Sequence, residues 1–143
     1  MNTPVFMFVY GSLCRESGHA MSRWLAARAV WQAVATVSGR LYRVSNYPAL
    51  VTGECNDDAC AHGDLYRLLL VETALSGLDA YEGIQGCDDD EYERRLLTVM
   101  PDNGAAISAW AYCYRQPAQA LAWIESGDWL SAPACHSLGI KKP

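Results

Sequence analysis

Val5-Phe6-Met7-Phe8-Val9-Tyr10-Gly11-Ser12-Leu13 opens the chain with β-branched and aromatic residues and then halts at a Gly-Ser pair. A short continuous apolar run of this kind reads as a strand buried on both faces, and the glycine after it lets the backbone turn. With no side chain at Gly11, the main-chain N–H groups of Tyr10, Gly11, Ser12 and Leu13 can point into one shared space. That makes the turn a candidate cradle for an anion or an oxyanion. Strand-Gly-Ser also ends ordinary strands, so the loop gains chemical meaning only from residues elsewhere in the chain.

The totals bound the remaining possibilities. The chain has 143 residues, 51% of them hydrophobic and 19% charged, as expected for one globular domain over residues 1–143. Its net charge is -5, and Lys141 and Lys142 are its only lysines. That balance excludes a phosphate-tracking nucleic-acid surface, which needs clustered cations. No run is long and apolar enough for a membrane-spanning helix, and Met-Asn-Thr-Pro leads directly into the first strand, so a cytoplasmic protein is expected. Six cysteines (Cys14, Cys55, Cys60, Cys87, Cys113, Cys135) are read as reduced, with Cys113 a small core residue. Cys55-x4-Cys60-x-His62 is the one cluster with ligand character. It lacks a second knuckle, and no metal is expected.

Along the chain, Met21, Trp24 and Leu25 recur at helical spacing, after a polar loop from Cys14 to Gly18. The stretch from Ala29 to Val44 predicts one bent strand or two broken at Gly39. Asn46-Tyr47-Pro48-Ala49-Leu50 turns into a brief strand, and a further strand runs from His62 to Leu70. From Val71 the period becomes helical through Ala74, Leu75, Leu78 and Tyr81, with Gly83 placed to stop the helix and Glu82 in its final turn. A carboxylate there opposes the helix dipole, a local conflict of the kind that collects at functional sites. Glu91 to Met100 and Ala105 to Tyr114 form the clearest hairpin, across Pro101-Asp-Asn-Gly104. Ala118 to Ile124 predicts one or two helical turns. Strands outnumber helices, which implies an α+β fold with a small, mixed and mainly antiparallel sheet curled toward a barrel, helices packed outside it.

These pieces resemble the γ-glutamylcyclotransferase-like superfamily. The resemblance rests on Val9-Tyr10-Gly11-Ser12-Leu13, on Leu78-Asp79-Ala80-Tyr81-Glu82-Gly83, and on Tyr47-Pro48-Ala49-Leu50, Gly63-Asp64-Leu65-Tyr66 and Tyr92-Glu93-Arg94 in the same order. It does not extend to the loop Gly86-Cys87-Asp88-Asp89-Asp90, and it is weakest in the tail after Ala120. It implies a small barrel and an intramolecular reaction on a γ-glutamyl substrate, in which the α-amine attacks its own γ-carbonyl to release 5-oxoproline and an amine. No cofactor is required, because the nucleophile is tethered to its target.

Under that resemblance Glu82 is the candidate general acid/base, and Tyr10, Gly11, Ser12 and Leu13 are candidate substrate and oxyanion residues. Arg94 is a candidate partner for a substrate carboxylate, although an arginine on a strand equally serves as a salt-bridge partner. Tyr92 and Tyr112 flank a pocket or belong to the core. Covalent catalysis by Ser12 or Cys14 is disfavoured, since His19, His62 and His136 form no recognisable pairing with either. Two rival readings stand beside cyclisation: a non-catalytic binding module that keeps the pocket, and a γ-glutamyl hydrolase or transferase. The identity of the leaving amine and the oligomeric state are left open by the sequence. Asp79 and Glu72, on the same helix as Glu82, are expected to matter far less than Glu82 for catalysis.

Overall fold

The computed structural model describes residues 4–52 and 59–131. Eight strands and two helices follow one another: β1 (Phe6–Val9), α1 (Ala20–Ala26), β2 (Ala29–Ser38), β3 (Arg40–Val44), β4 (Tyr47–Val51), β5 (Cys60–Leu68), α2 (Val71–Tyr81), β6 (Tyr92–Pro101), β7 (Ile107–Tyr114) and β8 (Ala122–Ile124). A 3-10 turn at Trp129–Ser131 comes after β8. Among the described residues no helix is long and apolar enough to cross a membrane.

Five strands close a barrel in the order β1-β5-β2-β6-β7. Alternating direction around a ring of odd number forces one parallel pair. That pair is β1 with β7, meeting at Met7 and Trp110, while every other neighbour is antiparallel. The expected mixed barrel with outside helices is therefore present. Strand β1 explains why its sequence does not alternate. Phe8 and Tyr10 enter a cluster with Ala35, Val37, Val99, Ala109 and Cys113 in the barrel, whereas Met7 and Val9 join Leu25, Ala74 and Leu78 beneath the helices. Both faces are apolar because both are covered.

Two expectations need correction. The stretch from Ala118 to Ile124 is not helical: Leu121 N–H closes a turn on Ala118 O (3.0 Å), and Ala122–Ile124 then pairs antiparallel with β3. Local alternation was too short to outweigh the helical propensity of its alanines, and an available strand edge decided the matter. The strand expected over His62 to Leu70 is shifted, running Cys60–Leu68, so Leu69 and Leu70 lead into α2. Strands β3, β4 and β8 form a second sheet that the sequence pattern did not separate from the barrel. Gly39 breaks β2 from β3, as expected, at φ +150°.

Cys113 is buried in the core. Cys60 and His62 are exposed, and Cys55 lies outside the described residues, as do Cys135, His136, Lys141 and Lys142. Among the described residues no group of three or more His, Cys, Asp or Glu side chains is placed to hold a metal ion.

Candidate active site at the end of the long helix

Helix α2 buries Ala74 and Leu78 against the barrel, each contributing the free energy of removing its apolar surface from water, about 1.5–3 kcal/mol for a leucine. Its last turn is closed by a Schellman arrangement: Gly83 N–H donates to Ala80 O (3.1 Å) and Ile84 N–H to Asp79 O (3.0 Å), with Gly83 at φ +74°. Glu82 is the C-cap residue, its own N–H bound to Leu78 O at 2.9 Å. The chain direction is thus fixed on both sides of Glu82, and its side chain is only 1% exposed.

Four tyrosines surround that carboxylate electrostatically: Tyr10, Tyr81, Tyr92 and Tyr112. In each, burial is the main force raising the phenol above its ordinary range, and the negative charge of Glu82 adds to it. Their hydroxyls therefore act as neutral donors. Tyr10 donates to Tyr112 O (2.6 Å), Tyr92 to Pro48 O (2.6 Å) and Tyr112 to Asp79 Oδ1 (2.6 Å).

The Gly-Ser loop is brought to the same helix turn. Ser12 Oγ and Tyr81 Oη share a hydrogen bond of 2.7 Å, and residues 10–14 are all buried. Cys14 N–H folds back on Gly11 O (3.0 Å), Cys14 Sγ donates to Val9 O (3.4 Å), and Ser17 Oγ donates to Ser12 O (2.6 Å). Among the described residues, the main-chain N–H groups of Gly11, Ser12 and Leu13 take no backbone acceptor. Three adjacent donors in a buried loop are the elements of an oxyanion cradle.

Strand β5 holds the loop from below, through residues whose role the sequence did not reveal. A Cβ at Gly63 would lie 2.0 Å from Val9 O, so only glycine permits the approach of β1 to β5 there. Its neighbour Asp64 accepts Arg15 N–H (2.7 Å) on one oxygen and Trp31 Nε1–H (3.1 Å) on the other, fixing the chain just past the cradle. A glycine inside an otherwise regular strand was the signal that could have found this contact.

Of the residues singled out by sequence, Tyr10 lies close enough to Glu82 to feel its charge, and Ser12 is bonded to Tyr81, the residue before Glu82. Gly11 and Leu13 lie buried in the same loop. Arg94 is placed differently. Its guanidinium grips Asp79 (Nε to Oδ1 2.9 Å, NH2 to Oδ2 3.2 Å) and stacks 4.5 Å over Trp110, beside a cleft of about 300 Å³ lined also by Tyr92 and Ile84. Another cavity, of about 590 Å³, is walled by Tyr10, Cys14, His62, Asp64, Asp102 and Asp128 among others, and Glu82 is not part of its lining. The loop therefore borders both that cavity and the end of α2.

Comparison with known proteins gives consistent results. The profile of the family described as "Gamma-glutamyl cyclotransferase, AIG2-like" matches residues 7–131. The chain is 34% identical over 124 residues to the γ-glutamylcyclotransferase family protein YtfP of Escherichia coli K12, covering 87% of this chain and 95% of that protein. Among solved structures, an AIG2-like protein from Mus musculus superposes with a TM-score of 0.63 at 19% identity, over 96% of this chain and 90% of its own. An uncharacterised protein from Homo sapiens gives 0.65 at 14% identity, over 96% and 93%.

Proposed function

The chain belongs to the γ-glutamyl cyclotransferase, AIG2-like family, and from that premise we propose that it converts a γ-glutamyl amine or γ-glutamyl amino acid into 5-oxoproline and the free amine, with Glu82 as general acid/base. The observation that carries this reading is the placement of one fully buried carboxylate, Glu82, at the helix turn to which the Gly-Ser loop is bonded.

The substrate's α-ammonium loses a proton to the Glu82 carboxylate, and the nitrogen lone pair attacks the γ-carbonyl carbon, forming the C–N bond of a five-membered lactam. The negative charge that develops on the carbonyl oxygen is met by the N–H groups of Gly11, Ser12 and Leu13. As the intermediate collapses, the old C–N bond breaks and Glu82 hands a proton to the departing nitrogen. The attacking nitrogen sheds two protons in becoming a lactam N–H, and the departing amine gains two in leaving as an ammonium, so Glu82 ends as it began. Burial of Glu82 keeps bulk water away from this exchange, so the proton it takes is held beside the departing nitrogen. Tyr10 walls the site, and the Ser12 hydroxyl, already shared with Tyr81, is within the group that orients the substrate carboxylate.

The test is a panel of γ-glutamyl compounds bearing amino-acid, lysine side-chain and polyamine leaving groups, assayed for 5-oxoproline by chromatography. Release of 5-oxoproline from at least one member is expected. Free glutamate in its place would make the protein a hydrolase, and neither product from any member would remove the catalytic reading.

A further inference from the structure

A carboxylate in the last turn of a helix is poorly placed twice over in this chain, because Asp79 shares that turn with Glu82 and α2 offers no basic residue there. The compensation for Asp79 comes from outside the helix. Its Oδ1 accepts Tyr112 Oη (2.6 Å) and Arg94 Nε (2.9 Å), its Oδ2 accepts Arg94 NH2 (3.2 Å), and its main-chain oxygen accepts Ile84 N–H in the Schellman closure. Asp79 is thus tied through both backbone and side chain.

The partners share one line across the barrel wall. Arg94 and Tyr112 are direct cross-strand neighbours on β6 and β7. Tyr112 donates its hydroxyl to Asp79 while its carbonyl receives the hydroxyl of Tyr10, the first residue of the Gly-Ser loop. A single residue of β7 therefore anchors the end of α2 on one side and the start of the loop on the other. Rotation or fraying of the α2 terminus would shift Glu82 relative to the cradle, and these contacts oppose both motions. The Arg94–Asp79 pair has only about a quarter of each side chain exposed (24% and 28%) and is bidentate, unlike a solvated surface pair.

We infer that Asp79 is a positioning residue: with Tyr112 and Arg94 it forms a clamp that sets the Glu82 carboxylate against the Gly-Ser loop, so Arg94 serves the helix end rather than the substrate. The inference rests on Glu82 being the acid/base, and it gives a share in catalysis to Asp79, which the sequence reading expected to matter far less than Glu82.

The test compares Asp79→Asn, Tyr112→Phe, their double variant and Glu72→Gln, on folded protein, with a substrate that releases 5-oxoproline. Asp79→Asn should lower kcat by roughly 10- to 100-fold with KM within about twofold, because misplacement of a catalytic group by a fraction of its reach costs rate rather than affinity. Tyr112→Phe should lower kcat in the same sense, the double variant should be no worse than Asp79→Asn alone, and Glu72→Gln in the first turn should match the parent. A loss of rate in Asp79→Asn that merely follows the loss of folded protein, or kcat losses that multiply in the double variant, would overturn the clamp. Carboxyl-carbon NMR of glutamate-labelled protein, with the Glu82 signal assigned by Glu82→Gln, reads the clamp without turnover. Arg94→Gln and Asp79→Asn should shift and broaden that signal while Glu72→Gln leaves it alone. If no substrate in the panel reacts, the proposed activity fails while this measurement still stands. A sharp, unmoved Glu82 signal in both variants sinks the positioning role.

Discussion

Replacing Glu82 by glutamine keeps the side-chain volume and removes the proposed proton carrier. The residue is 1% exposed, and its backbone is fixed by the Leu78 contact before it and the Gly83 turn after it, so the amide must occupy the same place. Loss of a positioned acid/base lowers turnover by about 10² to 10⁴, roughly 3 to 5 kcal/mol of barrier. The N–H groups of the loop stay where they are, so KM should change by no more than a fewfold. Stability should move the other way. An ionised carboxylate at the negative end of a helix and out of water is destabilising, and its neutral isostere removes a cost on the order of 0.3–1 kcal/mol from the dipole alone. The melting temperature at pH 8 should therefore equal or exceed that of the parent. The assay is steady-state 5-oxoproline release together with thermal unfolding of the same preparations. A variant that melts like the parent and turns over within a fewfold of it refutes the acid/base role. One that loses both rate and melting temperature shows instead that Glu82 is holding the fold.

Gly83→Ala forces a side chain onto a backbone at φ +74° and should destabilise the fold by about 1 kcal/mol or more, seen as a lowered melting temperature with a lowered kcat on the protein that remains folded. Chelators such as EDTA should leave activity unchanged and elemental analysis should find no stoichiometric zinc, because proton transfer and N–H donors suffice for the reaction; one bound metal per chain would contradict this. Alkaline titration should unfold the protein cooperatively. Tyr66 is raised to about 12, and Tyr10, Tyr92 and Tyr112 are raised in the same direction, chiefly by burial. A phenol whose folded value lies above its unfolded one of about 10 contributes stability fully below pH 10 and loses it as pH climbs through the folded value. Tyrosinate absorbance should then rise together with unfolding above about pH 10; phenols that ionise freely in a still-folded protein would show that they are not enclosed.

How far the sequence could be read depended on the range of the forces involved. The barrel was legible because β1 carries apolar residues on both faces and because the β6–β7 hairpin alternates over a long stretch, and such patterns are local. The end of α2 was legible for the same reason: Gly83 marks a left-handed stop, which places Glu82 at the cap without any knowledge of its neighbours. The short strand β8 was not, since its three residues have no period of their own and take their conformation from the edge of β3.

The functional network divides along the same line. Ser12 and Glu82 were visible as a strand-ending turn and a misplaced acid, but the hydroxyl of Tyr81 that joins them points across a gap of 69 residues, and no spacing rule reports a bond of that kind. Asp79 is the sharper case. From sequence it is an acid one turn before another acid, and i,i+3 logic treats it as a weak repulsive neighbour on a solvated helix face. In the fold it meets Arg94 and Tyr112, which lie opposite each other only because β6 and β7 pair in the register that sets Arg94 against Tyr112. A one-residue slip of β6 against β7 would turn the Arg94 side chain to the other face of the barrel wall and break its alignment with Tyr112. In the proposed clamp, the position of the Glu82 carboxylate therefore depends on strand register in a hairpin that contributes no residue to the Gly-Ser loop.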